Sequence, residues 1–234
     1  MKDVKSTYTD FHETHNPKHV YPSEWVIRTF LGSYPQLSLD KTKYKNARIL
    51  DMGFGDGRNW PLLHNLSFKI HGVEITESII ALGEERAADL KIPVTLKLGN
   101  NSTIPFENEF FDYILASSSC YYVDRGTTFT DNLKEYWRVL KPGGIFAASL
   151  PESTNAIFDK CVELEDGHVE IRNDPWGLRN GYVFRRFRSE EDVREAFSPY
   201  FDCFAIGLCR DNYYGILISA FLLVCAKGPD PNGQ

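Results

Sequence analysis

Ala47-Arg48-Ile49-Leu50-Asp51-Met52-Gly53-Phe54-Gly55-Asp56-Gly57-Arg58-Asn59 is the stretch on which the fold turns. An apolar run ends abruptly in three alternating glycines, and a helix is expected from Arg58. That is the signature of a buried strand, a tight turn and a helix start. Glycines in such a turn accept positive φ and remove the Cβ atoms that would block a ligand. The N–H groups beyond them can face a negatively charged group. No Gly-Lys-Ser/Thr follows, which excludes a P-loop, and Gly-x-Gly-x-Gly differs from the dinucleotide spacing Gly-x-Gly-x-x-Gly.

Outward from that turn, strands and helices alternate. Strands are expected at Ala47–Met52, Lys69–Ile75, Val94–Leu98, Phe111–Ser117 and Ile145–Leu150. Helices are expected at Arg58–Leu66, Glu77–Leu90 with Thr76 as its cap, and Thr128–Leu140, which Lys141-Pro142-Gly143-Gly144 stops. Such alternation builds a parallel sheet covered on both faces. Ser189 and Asp192 open another helix with a capping-box pattern. Tyr200–Leu208 and Ile216–Ala226, joined by a short loop with Asp211-Asn212 and Gly215, read as an antiparallel pair. Upstream, Ser23 can cap a helix over Glu24–Leu31 that Gly32 ends.

Four motifs in order resemble those of the class I S-adenosylmethionine (SAM)-dependent methyltransferases of the small-molecule, type-11-like kind. They are Leu50-Asp51-x-Gly53-x-Gly55-x-Gly57; Glu74, 17 residues after Gly57; Ile104-Pro105-Phe106 with Phe110-Phe111-Asp112-Tyr113; and Glu135-x-x-Arg138-Val139-Leu140-Lys141-Pro142-Gly143-Gly144. The resemblance covers residues 47–150 by motif and 189–227 by topology. It implies a Rossmann-like, doubly wound α/β fold: a mostly parallel seven-stranded sheet, the last strand antiparallel, with helices on both faces. One domain is expected, with an arm or lid over 1–46, a cofactor-binding core over 47–151, a substrate cap over 152–188 and a closing helix and strand pair over 189–227.

The cofactor implied is S-adenosyl-L-methionine, with S-adenosyl-L-homocysteine as product. Asp51, Gly53, Phe54, Gly55, Gly57 and Asn59 are expected around it from the glycine turn. Glu74, followed by Ile75, is placed to accept hydrogen bonds from both ribose hydroxyls. Asn100, with Asn101 and Ser102, stands where this family commonly has an Asp against the adenine amino group, and an Asn carbonyl can accept the same bond. Ser117 lies at the end of the fourth strand. Expected near the transferred methyl are Tyr121 and Tyr122, with His168 as a further candidate base. Tyr8, Tyr21 and Arg28 are candidate lid residues. Arg172, Arg179 and Arg186, among five arginines between 172 and 188 of a net-acidic chain, are candidate donors to a small anionic acceptor.

The reaction expected is methyl transfer to an O or N atom of a small molecule by in-line displacement. Two readings stand beside it: a SAM-binding sensor or pseudoenzyme, and an NAD-linked oxidoreductase, which the glycine spacing disfavours. The chain lacks the Asn/Asp-Pro-Pro-Tyr/Phe of nucleobase methylation, and its net charge of −6 argues against a nucleic-acid surface. Met1 to Lys5 lead into polar residues rather than a signal peptide, and Ile216–Ala226 is too short for a membrane helix. Five cysteines without a C-x-x-C suit reduced thiols in a cytoplasm. His12, His15 and His19 have helical spacing, but Pro17 interrupts them, so no metal is expected. Oligomeric state is left open.

Overall fold

The computed structural model describes residues 4–14 and 19–230; His15 and Pro17 lie outside them. Two helices, α1 (Val4–Thr14) and α2 (Glu24–Leu31), precede β1 (Arg48–Met52). Then follow α3 (Trp60–Asn65), β2 (Lys69–Glu74), α4 (Glu77–Leu90), β3 (Val94–Leu98), β4 (Phe111–Ser117), β5 (Tyr122–Val123), α5 (Phe129–Val139) and β6 (Leu140–Pro151). The central sheet runs β3-β2-β1-β4-β6 in parallel. It is completed by β11 (Ile216–Lys227), antiparallel to β6, and by β10 (Phe201–Tyr213), antiparallel to β11 at the edge. The seven-stranded, mostly parallel architecture with an antiparallel last strand is therefore present.

Side chains of a strand alternate between its two faces, and that alternation sorts the core. Ile49, Tyr113, Leu115 and Ala147 pack with Trp60, Leu63 and Ile79 on one face. Leu50, Ile114, Ala116, Phe146 and Ala148 pack with Leu133, Tyr136 and Val139 on the other. A strand buried on both faces must be apolar at nearly every position, which is why β1 and β4 read as runs rather than as alternation. The chain winds from β1 through β2 to β3, then restarts at β4 and winds the other way. Ligands of open α/β sheets sit beyond the strand ends at such a reversal, here between β1 and β4.

Helix starts follow the capping chemistry of the sequence in most places. Thr76 accepts from the Ile79 N–H, Ser189 from the Asp192 N–H at the start of α6 (Glu190–Phe197), and Thr128 with Asp131 forms a full capping box on α5. Ser23 is a correction. It holds the N-cap position of α2, but its hydroxyl makes no cap bond; its backbone N–H donates instead to Asn59 Oδ1 at 3.1 Å. The hairpin is a second correction. Asp211-Asn212 is turn chemistry by composition, yet β10 runs on to Tyr213 and the reversal is made by Tyr214 (φ 52°) and Gly215 (φ 96°). Two positive φ values are what a type I′ hairpin turn needs.

Residues 152–188 contain three short strands, β7 (Val162–Glu163), β8 (His168–Glu170) and β9 (Val183–Arg185). They join β5 in a second, antiparallel sheet of order β5-β9-β8-β7. The cap is thus stitched to the core through Tyr122 and Val123. No described helix is long and apolar enough to cross a membrane.

Candidate active site

The glycine turn after β1 is built around one carboxylate. Gly53, Gly55 and Gly57 all have positive φ (66°, 56° and 68°). A Cβ on Gly53 would stand 2.7 Å from the Ser119 Cβ, and one on Gly57 2.6 Å from the Trp60 ring. The Gly55 N–H donates to Glu74 Oε1 at 2.9 Å, and Glu74 Oε2 accepts from the Ile75 N–H at 3.0 Å. Burial raises the Glu74 pKa, and the two backbone hydrogen bonds oppose the rise. Each carboxylate oxygen retains a lone pair, and Glu74 lines a cavity of about 350 Å³ at the reversal of the sheet. That volume is in the range of ligand sites, roughly 300–1,000 Å³.

Phe54 packs its ring at 5.1 Å from that of Trp60, in a slot that Gly72 and Gly83 leave open; a Cβ on either would meet Phe54 within 2.7 Å. Asp51 is placed otherwise than expected. It lies buried behind the turn and off the cavity wall, and neither carboxylate oxygen has a partner in hydrogen-bond geometry among the described residues. Burial, with Glu74 and then Asp56 as neighbours, pushes its pKa up to about 7; the Trp60 indole is near enough to oppose the rise without forming a good bond. Asn59 lines the cavity while its amide oxygen holds the chain entering α2.

Beyond β3, Asn100 Oδ1 accepts from the backbone N–H of Ser102 at 3.1 Å and from its hydroxyl at 3.2 Å, an Asx-type turn. Asn100 is on the wall and Ser102 is not. Asn101 reaches the wall too, but its polar atoms are committed. Its amide donates to the Ser119 and Tyr122 carbonyls at 2.9 and 3.0 Å, and its oxygen accepts from the Tyr136 hydroxyl. It anchors the loop after β4. Ser117 accepts from the Trp25 indole at 3.3 Å, and the Ser119 hydroxyl closes onto the Met52 carbonyl.

Helix α1 and the cap close the site from above. Tyr8, Phe11 and His12 project from one face of α1 onto the cavity. Their spacing of three and four residues puts them one helical turn apart, a signal visible in the sequence but read there only for metal ligation in the case of His12. The Tyr8 hydroxyl is hydrogen-bonded to that of Tyr122, which also accepts from Arg179 Nε at 3.3 Å. Burial, then the neighbouring Tyr122, raises the Tyr8 pKa well above its ordinary value. Arg179 Nη1 donates to the fully buried Asp174 carboxylate at 3.2 Å. Asp174 also gathers the Leu178 and Arg179 backbone N–H groups at 2.9 and 3.0 Å, so the loop itself aims the guanidinium. Burial works against the Arg179 charge, but the Tyr122, Tyr8 and Tyr121 hydroxyls and the Asp174 carboxylate outweigh it, so the group is held cationic.

Several expected residues are not brought here. His168 sits on β8 opposite Arg185 in the cap sheet, off the cavity wall, and burial followed by Arg185 lowers its pKa. Arg172 pairs with Glu170, and Arg186 with Glu163, away from the cavity. Arg28 pairs with Glu24 on the outer face of α2, and Tyr21 is 78% exposed. Tyr121 is buried beneath Tyr122 and faces an adjoining cavity instead; burial, then Tyr122, raises its pKa well above the ordinary value, which makes it a poor base. Of the proposed cap arginines, only Arg179 reaches the site, because only its loop is wound on an internal carboxylate. Among the described residues, no three His, Cys, Asp or Glu side chains cluster as metal ligands.

Comparison with known proteins agrees with this fold. Residues 50–148 match a family model described as a methyltransferase domain. A demethylmenaquinone methyltransferase of Staphylococcus saprophyticus is 30% identical over 97 residues, 41% of this chain and 40% of that protein. The erythromycin 3''-O-methyltransferase of Saccharopolyspora erythraea is 33% identical over 104 residues, 42% of this chain and 33% of that protein. The chain thus spans well under half the length of these relatives. Among solved structures, the N-methyltransferase NodS of Bradyrhizobium japonicum, complexed with S-adenosyl-L-homocysteine, superposes with a TM-score of 0.65 over 97% of this chain and 100% of its own at 11% identity. A SAM-dependent methyltransferase of Methanosarcina mazei does so at 0.64 over 83% of this chain and 98% of its own, at 21% identity.

Proposed function

We propose that this chain, whose residues 50–148 match a methyltransferase-domain family model, is a class I SAM-dependent enzyme that transfers a methyl group from SAM to an oxygen or nitrogen of a small, anionic molecule. The observation that carries the reading is Glu74: a buried carboxylate at the end of β2, held by the Gly55 and Ile75 N–H groups and lining the cavity at the reversal of the sheet. An acidic group in that place is suited to a pair of vicinal hydroxyls. The residues present fit an adenosyl cofactor in two further respects. The Gly53 and Gly55 backbone approaches the cavity with no Cβ between, and Asn100, its Oδ1 held by Ser102, has its amide NH2 group on the same cavity's wall.

SAM, when bound, supplies an electrophilic methyl on a sulfonium, and in-line displacement is the expected path. The chain's own work is then to position and to exclude water, effects that reach about 7–11 kcal/mol where geometry is good. Glu74 and Asn100 are assigned to grip; Tyr8, Phe11 and His12 on α1 to cover. Arg179 is the cap's cation at the site, and it is the basis for an anionic acceptor.

The test is calorimetric titration of the purified chain with S-adenosyl-L-homocysteine, NAD serving as control, followed by transfer of labelled methyl from SAM to a panel of small acids, phenols and amines. Binding with turnover supports the reading. Binding without turnover on any acceptor points to a sensor, and preference for NAD would sink the cofactor assignment.

A further inference from the structure

A second cavity of about 330 Å³ opens against the first, and Phe11, Ser118, Leu178 and Arg179 belong to both walls. Away from that seam it is mainly apolar, walled by Tyr121, Ile157 and Trp176 and by Ile218 and Ala220 of β11. Ser149 and Asn155, which also line it, are engaged. Ser149 Oγ accepts from the Ser118 N–H at 2.9 Å. The Asn155 amide donates to the Ser219 carbonyl at 2.9 Å, and its oxygen accepts from the Ile157 N–H at 3.1 Å. No Asp, Glu or His lines it among the described residues, and Arg179 is its one charge. An acceptor seated there finds a cation and no ordinary base.

The free part of that cation restricts what it can hold. Arg179 Nε donates to the Tyr122 hydroxyl and Nη1 to Asp174, while Nη2 makes no hydrogen bond to any described residue. A carboxylate grips arginine through two parallel N–H bonds along one edge of the guanidinium. On the Nε–Nη2 edge the single Nε hydrogen is taken by Tyr122, and on the Nη1–Nη2 edge Nη1 already faces both Asp174 oxygens, at 3.2 and 3.3 Å. A single ionised oxygen needs only Nη2. Trp176, 45% exposed, lines this cavity with the Arg179 guanidinium 5.5 Å from its ring centroid, and so brings an aromatic ring beside the charge.

From this geometry we infer that the second cavity receives the apolar, conjugated ring of the methyl acceptor, and that Arg179 Nη2 holds one ionised oxygen on it. Acceptors are then phenols or enols taken as their anions, in preference to carboxylates. The inference rests on the methyltransferase reading above and adds to it the class of acceptor and the residue that selects it. It also balances without a base: the oxyanion forms one O–C bond, the sulfonium–carbon bond breaks, and an anion and a cation become two neutral products with no proton to remove.

The test uses the full chain saturated with S-adenosyl-L-homocysteine and 4-nitrophenol as probe, whose phenolate absorbs in the visible. Bound probe should ionise about 1–3 pH units below free probe, the effect of a nearby opposite charge. Arg179→Met should abolish that shift, and 4-nitrobenzoate should bind at least about tenfold more weakly than the phenol, lacking its two-pronged partner. Ala220→Phe, at a strand position that suits an aromatic ring, should block the probe while S-adenosyl-L-homocysteine still binds. If S-adenosyl-L-homocysteine fails to bind the unmodified chain, the methyltransferase reading falls and takes this one with it. If it binds, but the probe's ionisation is unmoved, survives Arg179→Met, or is matched by equal binding of 4-nitrobenzoate, this proposal alone is overturned.

Discussion

At the scale of single residues, the site turns on how carboxylates are treated by their surroundings. Glu74 and Asp51 are both buried, but Glu74 has two backbone donors while Asp51 has none in good geometry. A charge-assisted hydrogen bond contributes roughly 1.5–3 kcal/mol. On the proposed ribose contact, Glu74→Ala should therefore weaken S-adenosyl-L-homocysteine by about 10- to 150-fold. Calorimetry beside a circular dichroism melt distinguishes loss of the contact from loss of the fold. An unchanged affinity in a folded variant would remove Glu74 from the site. The Glu was legible in the sequence by its distance from the glycine turn. Its role in also bracing that turn through Gly55 was not, since it needs the two strand ends side by side.

At the scale of elements, the Glu135-x-x-Arg138 motif shows why sequence signatures of this kind are mostly structural. Arg138 ties α5 to the loop before β4, donating to the Ile104 and Phe106 carbonyls at 2.8 Å and to Asn108 Oδ1 at 2.9 Å; Glu135 accepts from the Ile104 N–H at 2.8 Å. Helix α1 is the opposite case. No motif marks it, yet it supplies Tyr8, Phe11 and His12 to the cavity. Removing residues 1–14 should leave the melting transition near that of the full chain, because among the described side chains of α1 only Tyr8, partly buried, packs at the edge of the core. It should weaken S-adenosyl-L-homocysteine by about tenfold or more, since closure that excludes water strengthens every polar contact inside. Equal affinity in the truncated and full chains would show that α1 is not a cover.

At the scale of the whole molecule, the buried carboxylates tie stability to pH. Asp51 has a folded pKa of about 7 against an ordinary value of 3.8, so between about pH 4 and 7 the folded chain keeps a proton that the unfolded chain has lost. Stability then falls as pH rises through that window and levels off above it, by an amount on the order of a few kcal/mol. Glu74, also raised, acts in the same direction. Asp51→Asn should flatten much of the fall, giving a variant more heat-resistant than the parent at pH 8 and close to it at pH 4. Melting temperatures across pH 4–8 are the check, and parallel curves for the two chains would rule Asp51 out as the source.

The order of the core strands and helices, the glycine turn and the acidic residue at the end of β2 were determined by the sequence alone, because each depends on neighbours a few residues away or on a fixed chain distance. Apolar runs read as strands buried on both faces, and cap residues such as Thr76 and Thr128 act within one turn of their helix. What only the tertiary structure decided is which of several equivalent side chains reaches the cavity. Arg172, Arg179 and Arg186 are alike in a list of residues; Arg179 alone stands at the site, because Asp174 winds its loop and two tyrosines from distant elements face it. His168 and Tyr121, equally plausible by composition, are turned away by the pairing of β8 and by burial. Local chemistry writes the elements, and long-range packing chooses which of their side chains meet.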